Sequence, residues 1–437
     1  MSGAFSDRLR LEHATVAATL PAAVVSGERR IAALERAAAA GLPGLRDDQW
    51  RYANLRPVEK ARFAPASAAT GDVAAAAALL PPAIEALPRF VFINGRYSAA
   101  LSADPAQLSG GTLSSLQRGL TGDIAAAGTA AASGAGNDER FAWINAAFAT
   151  DVAQLSIQRE LQLELLFVTL PDGAGGASYP RLQIVVEPGA QLTLVERHLG
   201  SGGKGALIAA AVEVELAEHA RCVHYRLQSL DDDAAFMDTL VADVGAAAEY
   251  RLLLLQQGSV SSRSASHLRL TGARAQVQVS GMSLAALQRS LDTAIRVEHL
   301  ARDTTSDQLL RAIANDRASI AFNSRVEVAA TAGGADSRQS LKGLIGGSGA
   351  EVNLRPQLEI NTDEVRASHG ATTGALDEST LFYLLSRGLT PETARMLLEW
   401  AFIEDVLSRI GIPALRKQVE RATIERLGKA EQLEALL

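Results

Sequence analysis

Between about residue 150 and residue 375, apolar and polar positions alternate in short runs, and the runs resemble one another. The segments "RLQIVVEPGAQLTLVE", "AAVEVELAEHARCVHYRLQ", "LVADVGAAAEYRLLLL" and "HLRLTGARAQVQVSG" share one form: alternation, a turn of small residues, then alternation again. A period of two marks a strand with one buried face. The alanines Ala190, Ala220, Ala248 and Ala275 occupy matching places in the turns, at intervals of roughly 30 residues, within the range of repeat architectures. One such unit buries a single face and is unstable alone, whereas stacked units share a continuous apolar core. The pattern predicts a β-helix in preference to a sandwich or barrel. Alternation continues in "SIAFNSRVEVAA" and "AEVNLRPQLEIN" without the clean turn.

On both sides of this region the period changes. Upstream, "GERRIAALERAAAAGLPGL" joins strong helix formers to a stop at Gly41 and Pro43, and "GLTGDIAAAGTAAASGAGNDER" has the composition of a connection. Downstream, Asp377 is placed to cap a helix that ends at Gly388. Thr390 and Pro391 open the next helix, in which Ala394, Leu397, Leu398, Ala401 and Phe402 fall on one apolar face. Gly411 and Pro413 end it, and "ALRKQVERATIERLGKAEQL" supplies a third amphipathic segment. The expected fold is mainly β: an N-terminal helical and mixed region over 1–150, a β-helix core over 151–375 and a C-terminal helical unit over 376–437.

Composition narrows the chemistry. The 437 residues are 48% hydrophobic and 21% charged, with a net charge of -7; neither the balance nor any local cluster offers the basic field that nucleic acid requires. No apolar run reaches the length of about 18 residues needed to span a membrane, and charged residues interrupt the first twenty, where a secretory signal would be apolar. Cys222 is the only cysteine, which excludes an internal disulfide framework and a cysteine-rich metal site and points to the cytoplasm. The glycine-rich stretches "SGGKGA" and "GLIGGSGAE" do not fit a phosphate loop, and neither G-x-S-x-G nor H-E-x-x-H occurs. Cys222 reads as an inert strand thiol, and His198, His219, His224, His267 and His299 as polar positions on outer strand faces or in turns. His369 stands in "EVRASHGATTG", a short polar run with small neighbours that leave room for something bulky. On residues alone it is a ligand or a bystander.

The run "RPQLEINTDEVRASHGATTGALDESTLFYLLSRGLTPETARMLLEWAFIEDVL", Arg355 to Leu407, resembles the SufB/SufD family of iron-sulfur cluster assembly proteins. It carries that family's "P-x-L-E-I", "S-H-G-A-T", "D-x-x-x-x-F-Y-L-x-S-R-G" and "A-R-x-L-L-x-x-A-F". Weaker similarity reaches upstream through "FNSRVEV", "RVEHL" and "FAWINAAF" to "DDQWRYANLRP", and the histidine followed by glycine favours the SufD branch. The resemblance implies a noncatalytic scaffold subunit that pairs with a SufB-like paralogue and docks the SufC ATPase. It assigns the SufC contact to the C-terminal helices, with Leu397, Leu398 and Phe402 as candidate anchors. His369 would lie at the SufB interface and offer a ring nitrogen to nascent iron or cluster that SufB holds with cysteine; no cofactor is expected on this chain alone. Where Ala367 stands, some relatives carry a cysteine, so no second ligand is available there. The expected assembly is a hetero-oligomer, or a homodimer when the chain is alone. Competing readings are a homomeric scaffold that meets SufC without SufB and a carbohydrate-active β-helix enzyme; 5% aromatic residues argue against the groove that the latter needs.

Overall fold

The computed structural model describes residues 2–44, 47–67, 72–85, 87–116, 139–173, 175–200, 203, 205–231 and 233–427. Most of the low-complexity connection read between Gly119 and Arg140 lies outside them. Helices α1 (Ser2–Val16), α2 (Gly27–Ala40), α3 (Arg56–Lys60) and α4 (Asp72–Leu79) come first. Strands β1 (Arg89–Ile93), β2 (Arg96–Tyr97) and β3 (Gly111–Ser114) follow, then α5 (Arg140–Phe148). The repeating region comprises β4 (Ala153–Ile157), β5 (Glu160–Thr169), β6 (Arg181–Val186), β7 (Gln191–Gly200), β8 (Leu207–Leu216), β9 (Arg221–Leu230) and β10 (Ala235–Val244). It continues through β11 (Glu249–Gln256), β12 (Ser261–Leu270), β13 (Gln276–Ala285), β14 (Ser290–His299), β15 (Thr305–Ala314) and β16 (Ser319–Val328). Its end is β17 (Ala335–Ile345), β18 (Glu351–Ile360) and β19 (Val365–Gly374), followed by α6 (Glu378–Ser386), α7 (Pro391–Leu407) and α8 (Pro413–Leu427).

From β4 onward consecutive strands alternate between two sheets, the odd-numbered ones in the first and the even-numbered ones in the second, and from β6 each pairs in parallel with the strand two places before it. This is the β-helix that the alternation predicts. Its strands join a core that β1 and β3, from the upstream region, already enter: β1 lies parallel to β5, and β3 antiparallel to β4.

The corners explain the repeat. At one corner of successive turns Gly189, His219, Ala247, Arg274 and Asp303 take positive φ, from 51 to 72°. Each donates its backbone N–H to a carbonyl in the next corner, as His219 does to Ala246 and Ala247 to Ala273, both at 2.9 Å. The next residue, Ala190, Ala220, Ala248 or Ala275, turns into the lumen and is buried. A side chain larger than a methyl would meet the neighbouring corners there, so alanine recurs although the left-handed residue before it varies.

The largest apolar core fills the lumen, and helices cover further apolar clusters on the outer faces. On the first sheet, α7 and α8 cover outward residues such as Leu253, Leu255 and Met282. At the upstream half of the second sheet, α1, α2 and α5 cover Leu207, Ala209, Ala235 and Met237. Strands buried on both sides lose strict alternation, which is why β11 reads "EYRLLLLQ".

Caps at the C-terminal helices follow the sequence. Asp377 accepts the Thr380 N–H at 3.0 Å, and Thr390 accepts the Thr393 N–H at 3.3 Å. The apolar face of α7 differs from expectation. Ala394 is buried, but the core-facing residues are Met396, Trp400, Ile403, Val406 and Leu407; Ala401 is exposed, and Leu397, Leu398 and Phe402 are half-buried. Indole and branched side chains gain more by burial against the sheet than Ala401 would, and they set the rotation of the helix.

Candidate functional site at the open end of the β-helix

The polar run "EVRASHGATTG" supplies the last strand. Residues Val365–Gly374 form β19, in register with β17 from Ala335↔Val365 to Leu344↔Gly374. Parallel pairing to a ready strand supplies the hydrogen bonds that the residue types do not predict. Both sheets stop here: among the described residues β18 pairs only with β16, and β19 only with β17. Every residue of these two strands is half-buried or exposed, in contrast with the interior of β1 at the other end.

His369 sits on this open turn. Val365, two pairs of residues earlier in the same strand, packs against the lumen core, so alternation puts Ala367 and His369 on the lumen side as well. Their register partners one turn inward are Ser337 and Gln339. His369 is exposed because no further turn covers it.

Among the described residues no group of three or more His, Cys, Asp or Glu side chains could hold a metal ion. His369 therefore offers one donor, and any metal there needs ligands from elsewhere. Cys222 does not help: it is buried in the lumen, and burial pushes its thiol above the usual range, leaving little thiolate to ligate.

The other histidines depart from the outer-face reading in an informative way. His198 and His224 point into the lumen and are buried, and both donate to the carboxylate of Glu196, at 2.6 and 2.9 Å. Arg226 bridges Glu196 and Asp238, each at 2.7 Å at its nearest. Burial alone would raise the Glu196 carboxyl; Arg226 and the two imidazoles outweigh it and hold the group well below the usual carboxylate range. His299 is also a lumen residue, with Thr304 Oγ1 and Ser306 Oγ each 2.8 Å from a ring nitrogen, and burial pushes it down to about 4. His219 lies in an exposed corner, as read, and His267 on the outer face, 2.9 Å from Glu298.

The helical unit adjoins the open end. Leu398 and Phe402 line a cleft with Leu344, Leu376 and Thr372 to Ala375 of the chain leaving β19. Leu397 and Phe402 also pack at the margin of the core that α7 shares with the first sheet. On α6 no residue is buried, and Phe382 and Tyr383 are 71% and 54% exposed. These two aromatics were missed on the sequence, although the signal was there: "LFYLL" has more consecutive apolar residues than one helix face can bury.

Fold and site define a β-helical protein with one finished end and one unfinished end, and a solitary histidine on the unfinished one. Comparison with known proteins supplies the family. A family model described as "SUF system FeS cluster assembly, SufBD core domain" matches residues 169–402. The chain is 27% identical over 404 residues to the iron-sulfur cluster assembly protein SufD of Escherichia coli (strain K12), covering 89% of this chain and 90% of that one. A SufBD family protein of Synechocystis sp. is 28% identical over 405 residues, covering 87% and 86%. A chloroplastic protein of Arabidopsis thaliana, ABCI7, is 28% identical over 55% of this chain. The chain belongs to the SufBD family of iron-sulfur cluster assembly proteins.

Proposed function

We propose that this chain is a noncatalytic scaffold subunit that joins a cysteine-bearing SufB-like paralogue through its open end and docks a SufC-like ATPase on its C-terminal helices. One observation carries the reading: the unpaired edges of β18 and β19 and the lumen-facing His369 lie on the same unfinished turn. An unpaired strand edge is a template for another chain, and a single imidazole is an incomplete ligand set. A partner strand would complete both. Iron or the nascent cluster is cargo in this scheme, shared with the partner's thiolates, and the cytoplasm keeps those thiols reduced. The half-buried Leu397, Leu398 and Phe402, beside the exposed Phe382 and Tyr383, present the apolar surface for the ATPase.

The test is co-expression with the SufB-like and SufC-like proteins of the same cell, purification through a tag on this chain, and measurement of complex mass, iron and sulfide. For His369→Ala the expected result is an unchanged mass with iron and sulfide lost. Full retention of both would remove His369 from cluster assembly, and absence of any complex would overturn the scaffold reading. The same open edges favour one further arrangement, two copies of this chain end to end without SufB; the mass of the purified complex separates the two.

A further inference from the structure

The polar character of the lumen changes toward the open end. One inward-facing column runs Val279, Gln308, Gln339, His369 in consecutive turns of the first sheet, in register throughout. Gln339 is 4% exposed, and its Nε2 donates to the Ser324 carbonyl at 3.2 Å and to Ser324 Oγ at 2.6 Å. Ser324 Oγ in turn donates to Gln308 Oε1 at 2.5 Å. The amide of Gln339 is thus held by its nitrogen from across the lumen, while its Oε1 is buried without a partner. Such an acceptor is uncommon in a folded protein and calls for a donor. The next side chain along the column is His369, one strand spacing away, about 4.8 Å. Gln308, on the inward side, also leaves its Nε2 without a partner, but a carbonyl oxygen has two lone pairs and can accept from both directions.

We propose that Gln339 is the positioning residue for His369: the two make no hydrogen bond in this structure, and rotation of the exposed imidazole toward the lumen brings one ring N–H onto Gln339 Oε1, which fixes the tautomer and leaves the lone pair of the other nitrogen for metal. This rests on the reading of His369 as a donor to shared iron and deepens it. An exposed imidazole on an edge strand otherwise rotates and exchanges tautomers, and ligating histidines depend on a hydrogen bond at the second nitrogen for orientation and basicity. The anchoring of the Gln339 amide by Ser324 makes that bond directional.

Nitrogen chemical shifts of the whole chain, labelled with 15N-histidine and assigned with His369→Ala, report which ring nitrogen carries the proton. At pH 9, where ordinary imidazoles are neutral, the wild type is expected to show one dominant tautomer. Gln339→Leu should lower that tautomer ratio by roughly fivefold, the worth of one ordinary hydrogen bond. Gln308→Leu, one turn further in and linked to Gln339 only through Ser324, should change the ratio less than Gln339→Leu does. An unchanged ratio in Gln339→Leu overturns the proposal. So does an equal change in Gln308→Leu, which would mark a packing effect. If His369→Ala retains full iron in the co-purified complex while Gln339→Leu still shifts the tautomer, the ligand reading fails and the positioning stands.

Discussion

His299 shows how one buried side chain couples the fold to pH. Its ring is enclosed by Thr304 and Ser306, and burial lowers it from the ordinary 6.5 to about 4. The folded chain keeps it neutral where the unfolded chain takes up a proton. Its contribution is therefore complete above pH 6.5 and is lost as pH falls toward 4, by about 2 kcal/mol between pH 7 and pH 5. Urea unfolding at the two pH values should show this loss in the wild type and a correspondingly smaller one in His299→Gln. Equal losses would mean that His299 does not carry the effect; His224, also lowered chiefly by burial, acts in the same direction and remains in both proteins. These histidines could not be placed from the sequence. The alternation in "RCVHYRLQ" is equally consistent with either face, and only Glu196, Arg226 and Asp238 arriving from different strands make the lumen tolerable for an imidazole. His369 was legible as a singular residue, but its lumen-side placement and the acceptor beneath it come from register.

At the scale of elements, the corner is the unit that the sequence spells out most clearly. Ala190, Ala220, Ala248 and Ala275 mark four corners because a buried, crowded position admits little besides a methyl group. Ala248→Leu is expected to overpack its corner and destabilise the chain by about 1–3 kcal/mol, with a fall in the urea midpoint at constant slope. A change within experimental error would show that the corner can expand. Later corners escaped the pattern because Thr304 replaces the alanine after Asp303; there a hydroxyl that binds His299 serves as well as a methyl. The strand β19 was harder to read. Its ten residues alternate neither in size nor in polarity, since no further turn selects them. The rotation of α7 was misjudged for a related reason: leucines on its half-exposed face look like core residues until Met396, Trp400 and Ile403 are seen against the sheet.

For the whole molecule, the decisive property is that its two ends differ. At the first end Phe90 and Phe92 of β1 are fully buried, and β2 and β3 run antiparallel to the strands they join. At the other end the last turn is uncovered. Ala371, exposed on the lumen side of β19, offers a way to test end-to-end association. Ala371→Arg should leave the melting of the isolated chain within about 0.5 kcal/mol of wild type, as surface changes do, while abolishing co-purification of the partner or of a second copy. An unaltered complex would place the joint elsewhere.

The first end offers only the short edges of β2 and β3 over a buried core, and this bears on growth. A rod with two sticky ends is a monomer of a fibre, because each addition regenerates the surface that the previous one consumed. Blocking one end changes the arithmetic. When two half-blocked rods meet by their free faces, no free face remains, and the product is a finite pair whatever the concentration. Under the proposed end-to-end joint, the few residues of β2 and β3 would act as a chain terminator, and they would make a counted complex possible from a repeat that has no intrinsic length.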